Sequence, residues 1–311
     1  MKVLFLGTAE FARPSLEALL ASSHELMGVV TQPDRPRGRG QKMIPSPVKA
    51  IALKASLPIY QPEKVRDPAF LKILEALRPE LMVVVAYGQI LSPAVLAVPP
   101  RGCVNVHGSL LPKYRGAAPI ARAILGGESR TGITTMFMDP GMDTGPILLT
   151  EETEIGEEDS AGSLQDRLSR IGAALLLRTL EGLERNTITP RPQDHSRASY
   201  APKIEREEGR ICWTDPARQV FNLIRAFDPF PGAFTRFSGR TLKLFRPRLM
   251  EREVKEPPGT VLEASGEGLR IAVPGGFLLV REIQAENRPR MGAAEFLRGN
   301  PLPGGVRLGE G

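Results

Sequence analysis

Cysteine is nearly absent. The 311 residues hold two, Cys103 and Cys212, far apart. That excludes a disulfide framework and any CxxC metal or redox pair, and a reducing, cytoplasmic setting is expected. Long hydrophobic runs are also missing: no stretch approaches the roughly 18–20 apolar residues of a membrane span. The apolar opening Met1–Ala9 meets Glu10 too early for a secretory core. HExxH, GxSxG and Cys/His clusters do not occur, and Gly7-Thr-Ala-Glu-Phe-Ala12 lacks the GxGxxG spacing. Gly38-Arg-Gly-Gln-Lys42 has the wrong spacing for a phosphate loop, and no Ser or Thr follows it. Metal, serine-hydrolase, dinucleotide and NTPase chemistry all lose support, and no metal is expected. There is no internal repeat and no low-complexity tract.

What is there is an ordinary folded composition, 41% hydrophobic and 24% charged. The length predicts about two domains. Net charge is +6, of which +2 falls in residues 1–199 and +4 in residues 200–311. A basic surface permits a polyanionic partner without demanding one.

Short apolar runs alternate with helical patterns over the first 150 residues. Lys2–Gly7, Leu26–Val30, Leu81–Ala86, Val104–His107 and Ile133–Met138 read as strands. The run Leu81–Ala86 is too uniformly apolar for a half-exposed strand and suits one covered on both faces. Ser46-Pro47 reads as a helix cap followed by proline at the first helical position. This alternation predicts a doubly wound, mostly parallel α/β sheet. Gly162–Leu183 is strongly helical, and Asn186–Pro202, with three prolines, reads as a linker. Beyond Ile211 the strands shorten and glycines punctuate them, which predicts a small barrel or open β domain. The expected division is a catalytic domain over 1–188, a linker over 189–207 and a C-terminal domain over 208–311. The tail after Asn300 carries no signal.

Three segments carry chemistry. In Val104-Asn-Val-His-Gly108, Asn105 and His107 are two apart and share one face of a strand. An interior strand of a parallel sheet should be apolar on both faces. A lone histidine here would read as structural; paired with Asn105 at a strand end it reads as functional, because ligands bind beyond the carboxyl ends of such strands. Cys103 reads as core packing. Met138-Asp-Pro-Gly-Met-Asp-Thr-Gly145 holds two carboxylates, and either alone reads as turn chemistry. Together, Asn105, His107 and Asp143 on neighbouring strand ends suit acyl transfer to an amine. That reaction needs donors for a developing oxyanion and a base for the amine proton. The third segment, Gln32 to Lys49, holds five positive charges and one negative in a Gly/Pro-rich loop after a strand. It reads either as a plain surface loop or as a cationic arm for a phosphate-rich substrate.

Taken together, these segments resemble the methionyl-tRNA formyltransferases over essentially the full length. The resemblance rests on Thr31-Gln-Pro-Asp-Arg-Pro36 through Pro45-Ser-Pro-Val-Lys49, Asn105-Val-His-Gly-Ser-Leu-Leu-Pro112, Arg115-Gly-Ala-Ala-Pro-Ile120, the Asp139–Gly145 loop and Tyr200-Ala-Pro-Lys-Ile204. It implies a Rossmann-like catalytic domain and a C-terminal barrel related to the OB fold. Asn105, His107 and Asp143 would be the catalytic set. The donor would be 10-formyltetrahydrofolate, with Ser109, Leu110, Leu111 and Pro112 lining its site and Tyr87, Gly88, Gln89, Ile90 and Leu91 adding to the pterin pocket. The acceptor would be the amino group of methionine on initiator tRNA. Arg35, Arg37, Arg39 and Lys42 in the basic loop would bind the tRNA, as would Lys203. Nothing in the sequence requires a partner subunit, so a monomer is expected. Two other readings stand beside this one. A small-acceptor formyltransferase of the same fold predicts the same three residues but neither the basic loop nor the extra β domain. A non-catalytic RNA-binding protein on this fold predicts tRNA binding without folate turnover.

Overall fold

The computed structural model describes residues 1–37, 42–300 and 302–309. Arg39 lies outside the described residues, and the side chains of Arg37 and Lys42 are likewise not described. The chain forms two compact units. One is built from 1–116, 132–153 and 165–201; the other from 117–131, 154–164 and 202–311.

The first unit holds strands β1 (Lys2–Gly7), β2 (Glu25–Val30), β3 (Arg35–Arg37), β4 (Lys42–Ile44), β5 (Ile59–Tyr60), β6 (Leu81–Val85), β7 (Cys103–His107), β8 (Arg130–Phe137) and β9 (Ile147–Glu154). Seven of them make one sheet in the order β5-β2-β1-β6-β7-β8-β9. The pairs from β5 to β7 are parallel. β8 then runs antiparallel to β7. Every residue of β6 is buried, as its unbroken apolar run requires. One face packs Leu4, Leu6, Met82 and Val84 against Phe70 and Leu74 of helix α3 (Pro68–Leu77), given that α1 is Arg13–Leu20 and α2 Pro47–Lys54. Ser46 caps α2, its hydroxyl accepting the Lys49 amide at 3.1 Å, and Pro47 takes the first helical position. Chain order reverses at β1, whose neighbours are β2 and β6. That is the point where a doubly wound sheet opens a crevice at its carboxyl edge. The loops after β1, β2, β6 and β7 all leave from that edge. The insertion after β2, read from sequence as loop, instead forms a two-stranded antiparallel hairpin, β3 with β4.

The second unit contains α5 (Pro119–Leu125, α4 being Pro93–Leu96), the first residues of α6 (Ala161–Glu184), α7 (Ala217–Ala226), α8 (Ala293–Gly299) and an antiparallel sheet. The sheet runs β10 (Ala233–Phe237), β11 (Arg240–Met250), β14 (Gly276–Ala285), β13 (Gly268–Val273), β12 (Val261–Ser265), with β15 (Met291–Gly292) on β14. Its ends are joined by the tail, for which sequence offered no role. Val261 N donates to Val306 O and Gly305 N to Val261 O, both at 2.8 Å; Leu308 N donates to Gly259 O and Gly309 N to Arg236 O, both at 2.9 Å. The tail thus bridges the β12 side to β10 and closes a small barrel. Leu308 is buried there. Trp213, the one tryptophan of the chain, donates from Nε1 to Thr235 Oγ1 at 3.1 Å and packs on Gly259, where a Cβ would stand 3.0 Å from the indole.

A deletion of residues 305–311 is expected to open this unit. Burying one leucine is worth about 1.5–3 kcal/mol, and four backbone bonds go with it. Trp213 reports the outcome: its emission should shift to the red and its urea midpoint should fall, whereas an unchanged midpoint would show that the tail is not a structural strand.

Candidate functional site

Asn105 and His107 end β7 on the same side of the strand. Asn105 Nδ2 donates to Val84 O of β6 at 3.1 Å. Its other amide atom, Oδ1, is buried with no hydrogen-bond partner. His107 is buried, with Nε2 2.9 Å from Tyr114 O. A carbonyl only accepts, so Nε2 carries a proton and donates it to Tyr114 O. Asp143 Oδ2 stands 3.6 Å from Nδ1. That spacing is too long for a hydrogen bond.

Asp143 reaches this place by a route that sequence did not show. Because β8 is antiparallel, its end pairs Phe137 with Val104, at the start of β7 and away from His107. The segment after β8 folds back. Gly145 makes the return possible, since a Cβ there would lie 1.9 Å from Phe137 O. Asp143 itself takes the left-handed backbone, φ 53°, at a cost of about 1 kcal/mol for an L residue. Three bonds fix it. Gly116 N donates to Asp143 Oδ2 at 2.7 Å. Gln193 Nε2 donates to the carbonyls of Asp143 and Gly145, at 2.9 and 2.7 Å. The amide oxygen of Gln193 accepts from Nε and Nη2 of Arg115, at 3.2 and 2.7 Å. Both Arg115 and Gln193 are buried, 2% and 6% exposed. Neither was singled out from sequence as a site residue. Gln193 lies in the stretch read as a linker, which instead docks: Arg115 N donates to Ser199 O and Ala201 N to Arg115 O, at 2.9 and 2.7 Å. The other carboxylate of the loop, Asp139, does turn work, accepting from Gly141 N and Thr144 Oγ1 at 3.0 and 2.6 Å.

The turn after β7 is held from below. Thr134 Oγ1 donates to Ser109 O and accepts the Leu111 amide, at 2.7 and 3.1 Å, and Ser109 Oγ donates to Lys113 O at 2.6 Å. Ser109 and Leu111 are buried, while Leu110 and Pro112 are part-exposed. In the loop after β6, Tyr87 and Leu91 belong to the core. Gln89 Oε1 accepts the Val65 amide at 2.8 Å. Gly88 and Ile90 are the exposed members. The Tyr87 hydroxyl is buried without a partner, and burial pushes its pKa to about 12. Cys103 is also pushed up to about 12 by burial, so it stays a neutral thiol within the core. Arg35 is exposed on the hairpin; Lys203 is exposed in the second unit, its carbonyl accepting from Arg122 Nη2 at 3.0 Å. Among the described residues no group of three or more His, Cys, Asp or Glu is placed to hold a metal ion, and no helix is long and apolar enough to cross a membrane.

The donor–acceptor balance constrains the ligand. Asn105 Oδ1 and the Asp143 carboxylate are acceptors, and the Nε2–H of His107 is already used. A group rich in N–H bonds fits such a place, as an amine does.

Residues 1–180 match the formyl transferase family, and residues 203–301 match the formyl transferase C-terminal domain. The methionyl-tRNA formyltransferase of Syntrophus aciditrophicus is 48% identical over 309 residues, covering 99% of each chain. That of Pelobacter propionicus is 49% identical over 307 residues, covering 99% of this chain and 96% of its own. The N-formyltransferase of Helicobacter canadensis, solved with folinic acid and dTDP-3-aminofucose, shares the fold: the TM-score is 0.67 at 20% identity, over 92% of this chain and 100% of that one. With both halves matched and near-half identity from end to end, the chain belongs to the methionyl-tRNA formyltransferase family.

Proposed function

We propose that the site moves a formyl group from 10-formyltetrahydrofolate to the free amino group of methionine on charged initiator tRNA, with Asn105, His107 and Asp143 as its catalytic residues. The observation that carries the residue assignment is the facing pair His107 Nδ1 and Asp143 Oδ2, 3.6 Å apart. An amine N–H donates into that gap.

The amine nitrogen attacks the formyl carbon and the carbonyl oxygen becomes an oxyanion. The amine proton passes to His107 Nδ1. With its Nε2–H held by Tyr114 O, His107 offers the oxyanion a further donor once it has taken up the amine proton. The imidazolium then pairs with Asp143. Asn105 Nδ2, with one hydrogen on Val84 O, has a second to give the oxyanion, while Oδ1 accepts a hydrogen of the amine. Collapse of the intermediate breaks the bond to N10 of the folate, and the proton on Nδ1 returns to that nitrogen. Ser109 to Pro112, with the exposed edge of the loop Tyr87 to Leu91, line the donor site. The hairpin cations Arg35, Arg37 and Lys42, together with Arg39 and Lys203, meet the tRNA phosphates. The protein works as a cytoplasmic monomer.

The test is formyl transfer from 10-formyltetrahydrofolate to four acceptors: methionyl initiator tRNA, methionyl elongator tRNA, free methionine and glycinamide ribonucleotide. Selective formylation of the charged initiator is the expected result. Transfer to a small amine alone would keep the chemistry and overturn the acceptor. Tight tRNA binding without transfer would overturn both.

A further inference from the structure

The segment from Gln32 to Lys49 attracts notice for its positive charge, yet two of its charged residues do not face outward. Lys49 Nζ donates to Asp34 Oδ2 and, at 2.8 Å, to Gln61 Oε1. The Gln61 amide nitrogen donates to Asp34 Oδ1 and to Gln32 O, both at 3.0 Å. Every polar atom of Gln61 and both carboxylate oxygens of Asp34 are therefore used within one ring of three side chains. Lys49 and Asp34 are 20% and 21% exposed.

The ring sits where the hairpin begins and ends. Asp34 immediately precedes β3. Lys49 is in the first turn of α2, just after β4. Gln61 comes from the end of β5 on the main sheet. A second stitch lies beneath: the hydroxyls of Thr31 and Ser46 are 2.8 Å apart and buried. The base is also tied toward the crevice. Gln32 Nε2 and Thr8 Oγ1 both donate to Tyr87 O, at 3.0 and 2.9 Å, and the Gln32 amide donates to Thr8 Oγ1 at 3.2 Å. A two-stranded hairpin is marginal by itself. Its direction has to come from what holds its stems.

We propose that Asp34, Lys49 and Gln61 form a clasp that fixes the direction of the β3–β4 hairpin, and that they are positioning residues which let this enzyme use a tRNA-borne amine. The inference rests on the tRNA acceptor proposed above. Lys49 is then not a phosphate contact, although its charge and its place in a basic segment suggest one. The cations left to meet a polyanion are those of the hairpin itself.

The two roles give opposite signs. If the segment acts only through its charge, Asp34→Asn removes a negative charge beside a polyanion and improves tRNA use. If the clasp sets direction, the same change impairs it. The experiment takes the full chain with Asp34→Asn, Lys49→Met and Lys49→Arg. It measures kcat and KM for methionyl initiator tRNA across a salt series, and KM for 10-formyltetrahydrofolate. Asp34→Asn and Lys49→Met are each expected to raise KM for the tRNA about tenfold, with kcat and the folate KM within about twofold. The salt slope should stay that of the unaltered protein, while Arg35→Ala should lower it by about one. Lys49→Arg should recover most of the loss. A lower KM in Asp34→Asn, or a slope reduced by about one in Lys49→Met, overturns the clasp. Amide exchange across Arg35–Arg37 and Lys42–Ile44, without any tRNA, tests the clasp apart from the acceptor. Faster exchange in Asp34→Asn and Lys49→Met is expected, and unchanged exchange overturns the proposal even if tRNA proves to be the substrate. Should the unaltered protein fail to use tRNA while exchange responds as expected, the acceptor falls and the clasp stands.

Discussion

Replacing His107 by alanine is expected to cut kcat by about 100- to 10,000-fold, the range that a positioned general base supplies. KM for the charged tRNA should stay within a few fold, because the hairpin cations are elsewhere in the sequence and the chemistry alone is lost. Asp143→Asn separates charge from shape. An amide oxygen can still accept the Gly116 N–H that Asp143 Oδ2 accepts at 2.7 Å, so the loop keeps its place. What disappears is the negative charge facing Nδ1, and with it the pairing that stabilises the imidazolium. In the proposed mechanism the two residues act on one proton. The double variant should therefore be barely slower than the slower single one, since groups acting as a unit are strongly non-additive. Single-turnover formylation measures this directly. Multiplying rather than overlapping losses would show that the two residues serve different steps.

The second large effect belongs to Gln193, a residue with no catalytic chemistry. Gln193→Leu leaves the Arg115 guanidinium buried without the acceptor that takes two of its N–H groups. The guanidinium then keeps only His195 Nδ1, 3.2 Å from Nη2, and losing the other acceptor costs about 3 kcal/mol. For a unit of this size that lowers Tm on the order of 10 °C. It also releases the carbonyls of Asp143 and Gly145, so kcat should fall at least tenfold in the protein that remains folded. Stability and positioning come apart in the double variant Arg115→Met/Gln193→Leu. Removing both partners of a buried polar pair is far milder than removing one, so Tm should recover in large part. kcat should not, because the two Gln193 bonds to the carbonyls of Asp143 and Gly145 are still missing. A double variant that regains both would reduce Gln193 to a structural residue.

The sequence revealed the parts of this molecule that break a local rule. Asn105 and His107 stood out because two polar side chains interrupt a strand that should be apolar on both faces. The same rule made β1 and β6 readable, and Ser46-Pro47 marked the start of α2 by its cap. Gln193 broke no rule. It lies among prolines and polar residues whose burial comes from backbone pairing between Arg115 and Ser199, a contact without periodicity. The closing strand of the barrel is hidden for the same reason, since Val306 to Gly309 pair through backbone groups that any residues would supply. Asp143 was legible as a residue but not as a geometry. It was expected on a neighbouring strand end, whereas β8 runs the other way and the loop has to return. Charge misled in one place. Asp34 and Lys49 count in the net charge of the basic segment, yet they cancel against each other. One signal was present and passed over: α7 buries Val220, Phe221 and Ile224 on one face.

The interleaving of the two units has a consequence for how the protein is made. Helix α5 packs against α7, and Arg122 of α5 grips the carboxylate of Glu208 and the carbonyls of Pro202 and Lys203. Those partners do not exist when α5 leaves the ribosome. The stretch from Leu125 to Ala217 is roughly 90 residues, which at about 5–20 residues per second is a wait on the order of ten seconds. Throughout that interval the nascent chain carries an orphan helix, part of a domain whose remainder is not yet synthesised. The N-terminal sheet must therefore mature while carrying a segment that it does not own, and a polypeptide stopped soon after Asp143 would display that helix permanently.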